Sequence, residues 1–320
     1  MENINAERLV AHHRNPYLSL FVFFLLFVGS LIVASGVAQL FMSATTDINQ
    51  QDLIKPGAAI DLSLREKYAI LINQGLISLV TFLLPPALFF TLYNKCKISD
   101  LVSNTYKNST PYLIGGLILL SFFVVNSFFI DFNESMTLPK SMAPVENVIR
   151  DLEDQLKELT KILTSFETPS YFVVSILIVA ILPAVGEELI FRGLLQNIFR
   201  EIFRNYHIAI WVAAIFFSAI HMQFYGFLPR MLLGALFGYL YVWSGNILLP
   251  MLAHFLNNFL SLALLYVYQL NLTDMDIESS EAPPTWVISL FASIFILLMY
   301  YFYRYFSELN QKNGQLENRI

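Results

Sequence analysis

Residues 171–193 read YFVVSILIVAILPAVGEELIFRG, an apolar stretch long enough to cross a bilayer, with two glutamates and an arginine near its end. A charged side chain near the bilayer centre costs about 2.5 to 3.5 kcal/mol on insertion scales, so such side chains usually face a wet cavity or one another. The apolar residues therefore predict a transmembrane helix, and the charges within it predict a functional site inside the membrane.

The composition of the chain is that of a polytopic membrane protein. Of its 320 residues 56% are hydrophobic and 13% are charged, against about 25% charged residues in an ordinary soluble domain. We predict an all-α transmembrane bundle, because about eight stretches are long and apolar enough to be helices that cross the hydrocarbon core. These stretches are Tyr17–Met42, Ala69–Tyr93, Tyr112–Ile130, Tyr171–Phe191, Ile208–Met222, Phe227–Trp243, Ile247–Tyr268 and Trp286–Tyr303.

The halves of the chain differ in character. Residues 1–169 predict a variable membrane segment with three plain spans and one amphipathic helix, Val145–Phe166, which either caps the bundle on the outer face or gates the substrate. Residues 170–270 hold the ionisable groups of the spans and predict a catalytic core. Residues 271–320 comprise the last loop, the final span and a tail.

The distribution of Lys and Arg predicts that both termini lie in the cytoplasm, because basic residues outnumber acidic ones on their side. The first apolar stretch is longer than the core of a cleaved signal and should remain as a helix. We expect a bacterial inner-membrane protein, with the bilayer and a peptide or membrane protein as partners. The net charge of −5 arises mostly in the outer loops and gives no reason to expect nucleic acid. The lone Cys96 excludes an intramolecular disulfide and a cysteine-based zinc cluster.

The spacing of the charged residues at the end of the fourth stretch predicts that the two glutamates have different roles. Glu188 and Arg192 are four residues apart and can pair on one face, whereas Glu187 points about 100° away. A carboxylate in an apolar site can serve as a general base near neutral pH. An alternative is a Glu–Arg pair that only holds helices together.

Two histidine motifs follow. Phe217 and His221 stand one turn apart on the fifth stretch, and His254 and Asn258 share a face of the seventh. The last two could donate hydrogen bonds to a developing oxyanion. Taken singly, each histidine could instead be a core residue or an interhelical hydrogen-bond partner.

Together, the patterns Glu-Glu-x-x-x-Arg, Phe-x-x-x-His and His-x-x-x-Asn resemble those of the CAAX prenyl protease and bacteriocin-processing family of intramembrane proteases. The resemblance covers about residues 171–262. It implies an active site among the fourth, fifth and seventh helices, in which Glu187 and His221 activate water. It also implies that His254 and Asn258 hold the oxyanion, while Glu188 and Arg192 shape the site.

A metal is not required by these residues. Glu187, His221 and His254 could form a zinc site with an open fourth position, and the family is often labelled metalloprotease. However, there is no His-Glu-x-x-His helix, and Asn258 is a better oxyanion donor than zinc ligand. We favour chemistry without a cofactor and keep zinc as the alternative.

Two other functions compete with proteolysis. One is a catalytically silent scaffold or immunity protein, and the other is an ion-coupled transporter. Depth raises a further difficulty, because a straight fourth helix ending near Phe191 would place Glu187 close to the cytoplasmic face and away from His221. A break at Pro183 and Gly186, or a tilt, could bring the two together, and a miscounted short fifth helix is the other explanation.

Overall fold

The computed structural model describes residues 15–48, 62–95, 101, 109–273 and 282–312. The described residues form nine helices and no strand, and each of the eight predicted apolar stretches is helical, so the all-α prediction is confirmed. Cys96, most of the last loop and both chain ends lie outside the described residues. The helices are α1 Pro16–Thr45, α2 Leu64–Asn94, α3 Thr110–Glu134, α4 Ala143–Leu163, α5 Pro169–Phe203, α6 Tyr206–Ala219, α7 Phe227–Ser244, α8 Leu248–Gln269 and α9 Thr285–Lys312.

Six of these helices, α1, α2, α3, α5, α8 and α9, are long and apolar enough to cross a membrane. The other two predicted spans are shorter: α7 has 18 residues and α6 has 14. At about 1.5 Å per residue, α6 measures about 21 Å, less than the roughly 30 Å of a hydrocarbon core. The chain is an integral membrane protein whose site-bearing region combines long and short helices.

Helix α5 is longer than the predicted span. It does not end near Phe191 but runs for 35 residues to Phe203, so Glu187 lies near its middle. Pro183 and Gly186 do not break it. Instead, the helix widens into π-helical turns on either side of them, at Ile176–Ile181 and Leu189–Leu195. Such turns are frequent at functional sites because they re-aim the side chains around them.

Close packing fixes α5 against its neighbours. A Cβ on Gly186 would stand 2.6 Å from the Phe82 Cβ of α2, so the two helices touch at the residue preceding Glu187. Further along, Leu194 and Ile198 of α5 are buried with Phe90 of α2 and Ala213 of α6. The glutamates therefore sit on a backbone that is held from several sides.

The amphipathic helix predicted at 145–166 is present as α4. Its apolar residues Leu159 and Leu163 pack beside Met42 of α1 and Ile70 of α2. Its buried Glu153 accepts a hydrogen bond from the backbone N–H of Tyr225, in the connection between α6 and α7. The helix thus covers the end of the bundle that carries His221, and a gating role stays a prediction.

Candidate active site

Three side chains form a buried charged network. Arg192 donates from Nη1 to Glu188 Oε1 at 2.7 Å, and His254 Nδ1 lies 2.9 Å from the same oxygen. Glu188 and Arg192 are the predicted pair, with side chains 0% and 1% exposed. Because an ionised carboxylate only accepts hydrogen bonds, His254 donates its Nδ1 proton to Glu188. This bond fixes the ring and leaves Nε2 to face the other glutamate.

The guanidinium of Arg192 is held on further sides. Nη2 donates to the carbonyl of Gly234 on α7 at 2.7 Å. Its carbon lies 4.9 Å from the ring centre of Phe217 and 5.4 Å from that of Phe237. These contacts offset the desolvation of the cation by a hydrogen bond and by aromatic faces. Arg192 therefore ties α5 to α6 and α7 around the site.

Glu187 is also buried, and its Oε2 lies 3.9 Å from Nε2 of His254. This contact differs from the expected partnership with His221, since Glu187 and His221 form no ion-pair contact. The imidazole of His254 thus lies between two carboxylates, one at each ring nitrogen. Its ring also stacks on Phe237, with centroids 5.2 Å apart.

His221 lies just beyond the end of α6, in the turn that follows it, rather than on the helix as predicted. Its Nδ1 lies 2.8 Å from the carbonyl of Phe217, and the two rings are 5.4 Å apart, so the expected contact one turn apart is present. Since a carbonyl only accepts, Nδ1 carries the proton and Nε2 is the free nitrogen of the neutral ring. Phe217 also touches His254 edge-on, at 5.9 Å, and joins the two motifs.

Asn258 bonds to the backbone of α5. Its Nδ2 donates to the carbonyl of Val179 at 3.4 Å. Pro183, four residues later, has no N–H and so denies this carbonyl its α-helical donor. The Oδ1 of Asn258 accepts a hydrogen bond from Nδ2 of Asn257 at 3.2 Å. The amide keeps a second Nδ2 hydrogen for another acceptor, and its predicted role as an oxyanion donor stays a prediction.

The expected zinc ligands are not assembled as a set. Among the residues that the structure describes, no three His, Cys, Asp or Glu side chains converge as metal ligands. His254 has its Nδ1 engaged by Glu188, and His221 has its Nδ1 engaged by a backbone carbonyl. Zinc-ligating histidines also make such bonds at one ring nitrogen, so a three-ligand site is disfavoured here only because the described side chains do not converge on one point. Metal use stays a prediction to be tested.

Sequence reasoning gave no role to Arg230. This residue lies in the first turn of α7 and interacts electrostatically with both Glu187 and His221. The signal in the sequence was a lone cation at the start of an apolar stretch, which is also what an ordinary membrane boundary looks like. Arg230 comes close to the site only because the chain reverses direction in the connection between α6 and α7.

The comparisons with known proteins address this part of the chain. Residues 169–260 match a family model described as type II CAAX prenyl endopeptidase Rce1-like. All three motifs lie within these residues. The uncharacterized protein YpbD of Bacillus subtilis (strain 168) is 34% identical over 85 residues, which cover 25% of this chain and 40% of that protein. No solved structure matches the chain significantly.

The family match and the motif geometry concern the same helices. The matched residues run from the start of α5 into α8 and include α6 and α7, while α1–α4 and α9 lie outside them. The resemblance inferred from the three motifs is confirmed, because residues 169–260 match the Rce1-like family model within a longer membrane-embedded chain.

Proposed function

We propose that this protein is an endopeptidase that hydrolyses a peptide bond within or beside the membrane. The observation that carries the proposal is the buried arrangement in which His254 lies between Glu187 and an arginine-neutralised Glu188. A second buried carboxylate, with which no arginine forms an ion pair, can accept a proton, whereas a purely structural pair would need only Glu188 and Arg192. The Rce1-like match of the same helices supports peptide hydrolysis as the reaction.

In the proposed reaction, Glu187 accepts a proton from a water molecule as the water oxygen attacks the peptide carbonyl. The free Nε2 of His221 helps to orient this water. The carbonyl oxygen becomes an oxyanion, which accepts hydrogen bonds from His254 and Asn258. When the tetrahedral intermediate collapses, the C–N bond breaks and Glu187 returns its proton to the departing amine.

The network assigns a protonation state to His254 in this scheme. Its Nδ1 proton is donated to Glu188, so it can stabilise an oxyanion through Nε2 only as an imidazolium with both nitrogens protonated. Arg192 then balances Glu188 and keeps the local charge from becoming excessively negative. Glu188 and Arg192 act as positioning residues because they act through His254.

The decisive test is cleavage of a peptide library in liposomes by wild type and by Glu187→Gln. A positioned general base contributes about 10² to 10⁴ in rate, so the variant should lose at least about a hundredfold while still inserting and folding. Glu308→Gln serves as the matched control because that carboxylate is exposed on α9. Equal turnover by wild type and Glu187→Gln would reject the role of Glu187, and no cleavage by the wild type would favour a silent scaffold.

Asn258→Ala tests the oxyanion assignment. Loss of one oxyanion donor typically lowers kcat by about 10² to 10³, and KM should change little because the donor acts on the transition state. A raised KM with unchanged kcat would make Asn258 a substrate contact instead. The bond to Val179 requires a parallel check that the variant retains its unfolding temperature.

Metal content tests the cofactor assignment. The proposal predicts that purified protein holds far less than one zinc per chain and keeps its activity after a chelator is applied and dialysed away. Zinc bound in stoichiometric amounts, lost in both His221→Ala and His254→Ala, and able to restore activity would instead establish a metalloprotease. The paired variants are needed because His12 and His13, outside the described residues, can bind stray metal.

A further inference from the structure

Arg230 carries a buried nitrogen without a partner beside the proposed catalytic groups. Its Nη2 donates to the side-chain oxygen of Gln223 at 2.7 Å, while its Nη1 is buried and bonds to no described atom. No described carboxylate lies within ion-pair distance of this guanidinium. A neutral amide is a weak counterpart for a cation removed from water. Arg230 therefore lacks an anion in direct contact, although Glu187 and Glu153 lie near enough to interact with it electrostatically.

The backbone beside Arg230 leaves little room for a side chain. Gly226 lies against the guanidinium, and a Cβ there would stand 3.1 Å from Nη2 and 3.3 Å from Nη1. The φ of Gly226 is −106°, a value open to any residue, so backbone conformation does not require glycine here. A side chain at position 226 would instead crowd the guanidinium, so glycine lets Arg230 keep its position.

Charge also separates Arg230 from the other buried arginine. Arg192 is committed to Glu188, Gly234 and aromatic rings. Arg230 interacts electrostatically with Glu187 and with Glu153 of α4 but is bonded to neither. Both terminal nitrogens of Arg192 are bonded and its Nε lacks a partner, whereas Arg230 has a terminal nitrogen, Nη1, that bonds to no described atom.

The groups next to Arg230 suit an apolar peptide. Met222 is 72% exposed and Phe224 38% exposed, both in the connection that also carries His221 and Gln223. A guanidinium presents a planar fork that matches a carboxylate, and charged hydrogen bonds of this kind are stronger than neutral ones. An apolar surface beside one carboxylate-binding group fits an apolar chain that bears a single negative charge.

We propose that Arg230 binds a carboxylate of the peptide substrate and so selects which peptides are cut. This proposal rests on the proposed endopeptidase function. The carboxylate is either that of the peptide's C-terminus or that of an Asp or Glu side chain. Both supply the same two oxygens to the Nη1 edge, so the experiment must distinguish them.

The test uses one library of apolar peptides synthesised in three matched forms. The first form has a free C-terminal carboxylate, the second is amidated and contains no acidic residue, and the third is amidated and contains one Asp. Wild type in liposomes should cleave the first or the third form with a kcat/KM roughly 10 to 100 times that for the second, as expected for a charged hydrogen bond. Whichever form is preferred identifies the source of the carboxylate.

Arg230→Gln should remove this preference by raising KM far more for the preferred form than for the neutral amidated form. Arg230→Lys should keep part of the preference because it keeps the charge without the fork. Arg304→Gln, which changes an exposed arginine of α9, should keep the full preference. Gly226→Leu should weaken it by crowding the guanidinium.

Several outcomes would overturn the proposal. Equal loss for all three peptide forms in Arg230→Gln would assign Arg230 to the catalytic step or to folding. No preference in the wild type would show that no carboxylate is read. If the wild type cleaves nothing, binding of the three peptide forms to Glu187→Gln is measured by fluorescence anisotropy. A preference for a carboxylate form that disappears when Arg230→Gln is added would retain the binding site, although the endopeptidase function fails. No preference in this binding experiment would reject both proposals.

Discussion

Two Arg–Glu pairs of this chain share one geometry and lie in opposite surroundings. Glu188–Arg192 on α5 and Glu146–Arg150 on α4 are each four residues apart, and each joins a guanidinium nitrogen to Oε1 at 2.7 Å. The α5 side chains are at most 1% exposed, whereas those of α4 are 15% exposed for Glu146 and 45% for Arg150. Helical spacing allows both pairs to form, and burial decides how much each contributes to the stability of the fold.

The partners around each pair show the consequence. Glu188 and Arg192 recruit His254, the Gly234 carbonyl and two phenylalanine rings, because a buried charge without compensation is costly. Arg150 of the α4 pair lies over the Tyr225 ring, and the Tyr225 hydroxyl donates to Glu146. The first pair lies at the centre of the candidate active site, and the second joins a surface helix to the connection after α6.

The largest difference in stability between the two pairs is expected when one arginine is replaced at a time. Arg192→Met leaves a buried carboxylate uncompensated and should lower the free energy of unfolding by about 3 to 5 kcal/mol. Arg150→Met removes an exposed partner, and such pairs often contribute nothing measurable. Unfolding of both variants in mixed detergent gives the two values. Equal effects would mean that burial does not distinguish the pairs.

A double variant sharpens this result. Adding Glu188→Gln to Arg192→Met neutralises the stranded carboxylate, so part of the lost stability should return, and the coupling between the two changes should exceed 0.5 kcal/mol in magnitude, as for residues in one network. The same cycle at Glu146 and Arg150 should show little coupling. A double variant no more stable than Arg192→Met would show that the arginine acts through packing alone.

Crowding around the buried pair can be tested without changing a charge. Gly186→Ala should cost about 1 to 3 kcal/mol of stability, because its Cβ would stand 2.6 Å from the Phe82 Cβ and 3.4 Å from the Phe82 backbone carbon. It should also lower peptide cleavage by displacing Glu187. Gly29→Ala on α1 is the matched control, since nothing lies within 4 Å of that position. Comparable stability of both variants would contradict a rigid contact between α2 and α5.

The smallest effect concerns the pH response of the exposed pair. The hydrogen bond from Arg150, assisted by that from Tyr225, holds the pKa of Glu146 below its ordinary value, although partial desolvation opposes them. A lowered folded-state pKa stabilises the protein above the ordinary glutamate pKa, and this contribution disappears as pH falls through the folded-state value. The difference in unfolding temperature between wild type and Glu146→Gln should therefore be constant near neutral pH and shrink in acid. A difference in unfolding temperature that grows in acid would contradict a lowered folded-state pKa of Glu146.

Much of the fold could be read from the sequence because a bilayer imposes simple demands. Each apolar stretch is helical in the structure, and the recurrence of apolar residues at helical spacing predicted α4. The lengths were harder to predict. Residues 192–203 contain charged and polar side chains that ended the predicted span, yet α5 continues through them because tertiary packing buries that segment.

The site was predicted in its parts and only partly in its connections. The pairing of Glu188 with Arg192 follows from spacing on one helix, and the contact between Phe217 and His221 does too. The position of His254 between two glutamates does not, since it depends on how α8 packs against α5. The same holds for Arg230, which is brought to Glu187 and His221 by a connection and a change of direction.

The sequence by itself determined that the chain is a helical membrane protein with a charged site in its second half. Local periodicity and the cost of burying charge are properties of neighbouring residues, so they can be read without a structure. Tertiary structure alone decided which carboxylate His254 bonds, which carbonyl Asn258 reaches and which arginine stays without an anion in direct contact. These outcomes depend on distances between helices remote in sequence, and such distances are set by packing rather than by spacing along the chain.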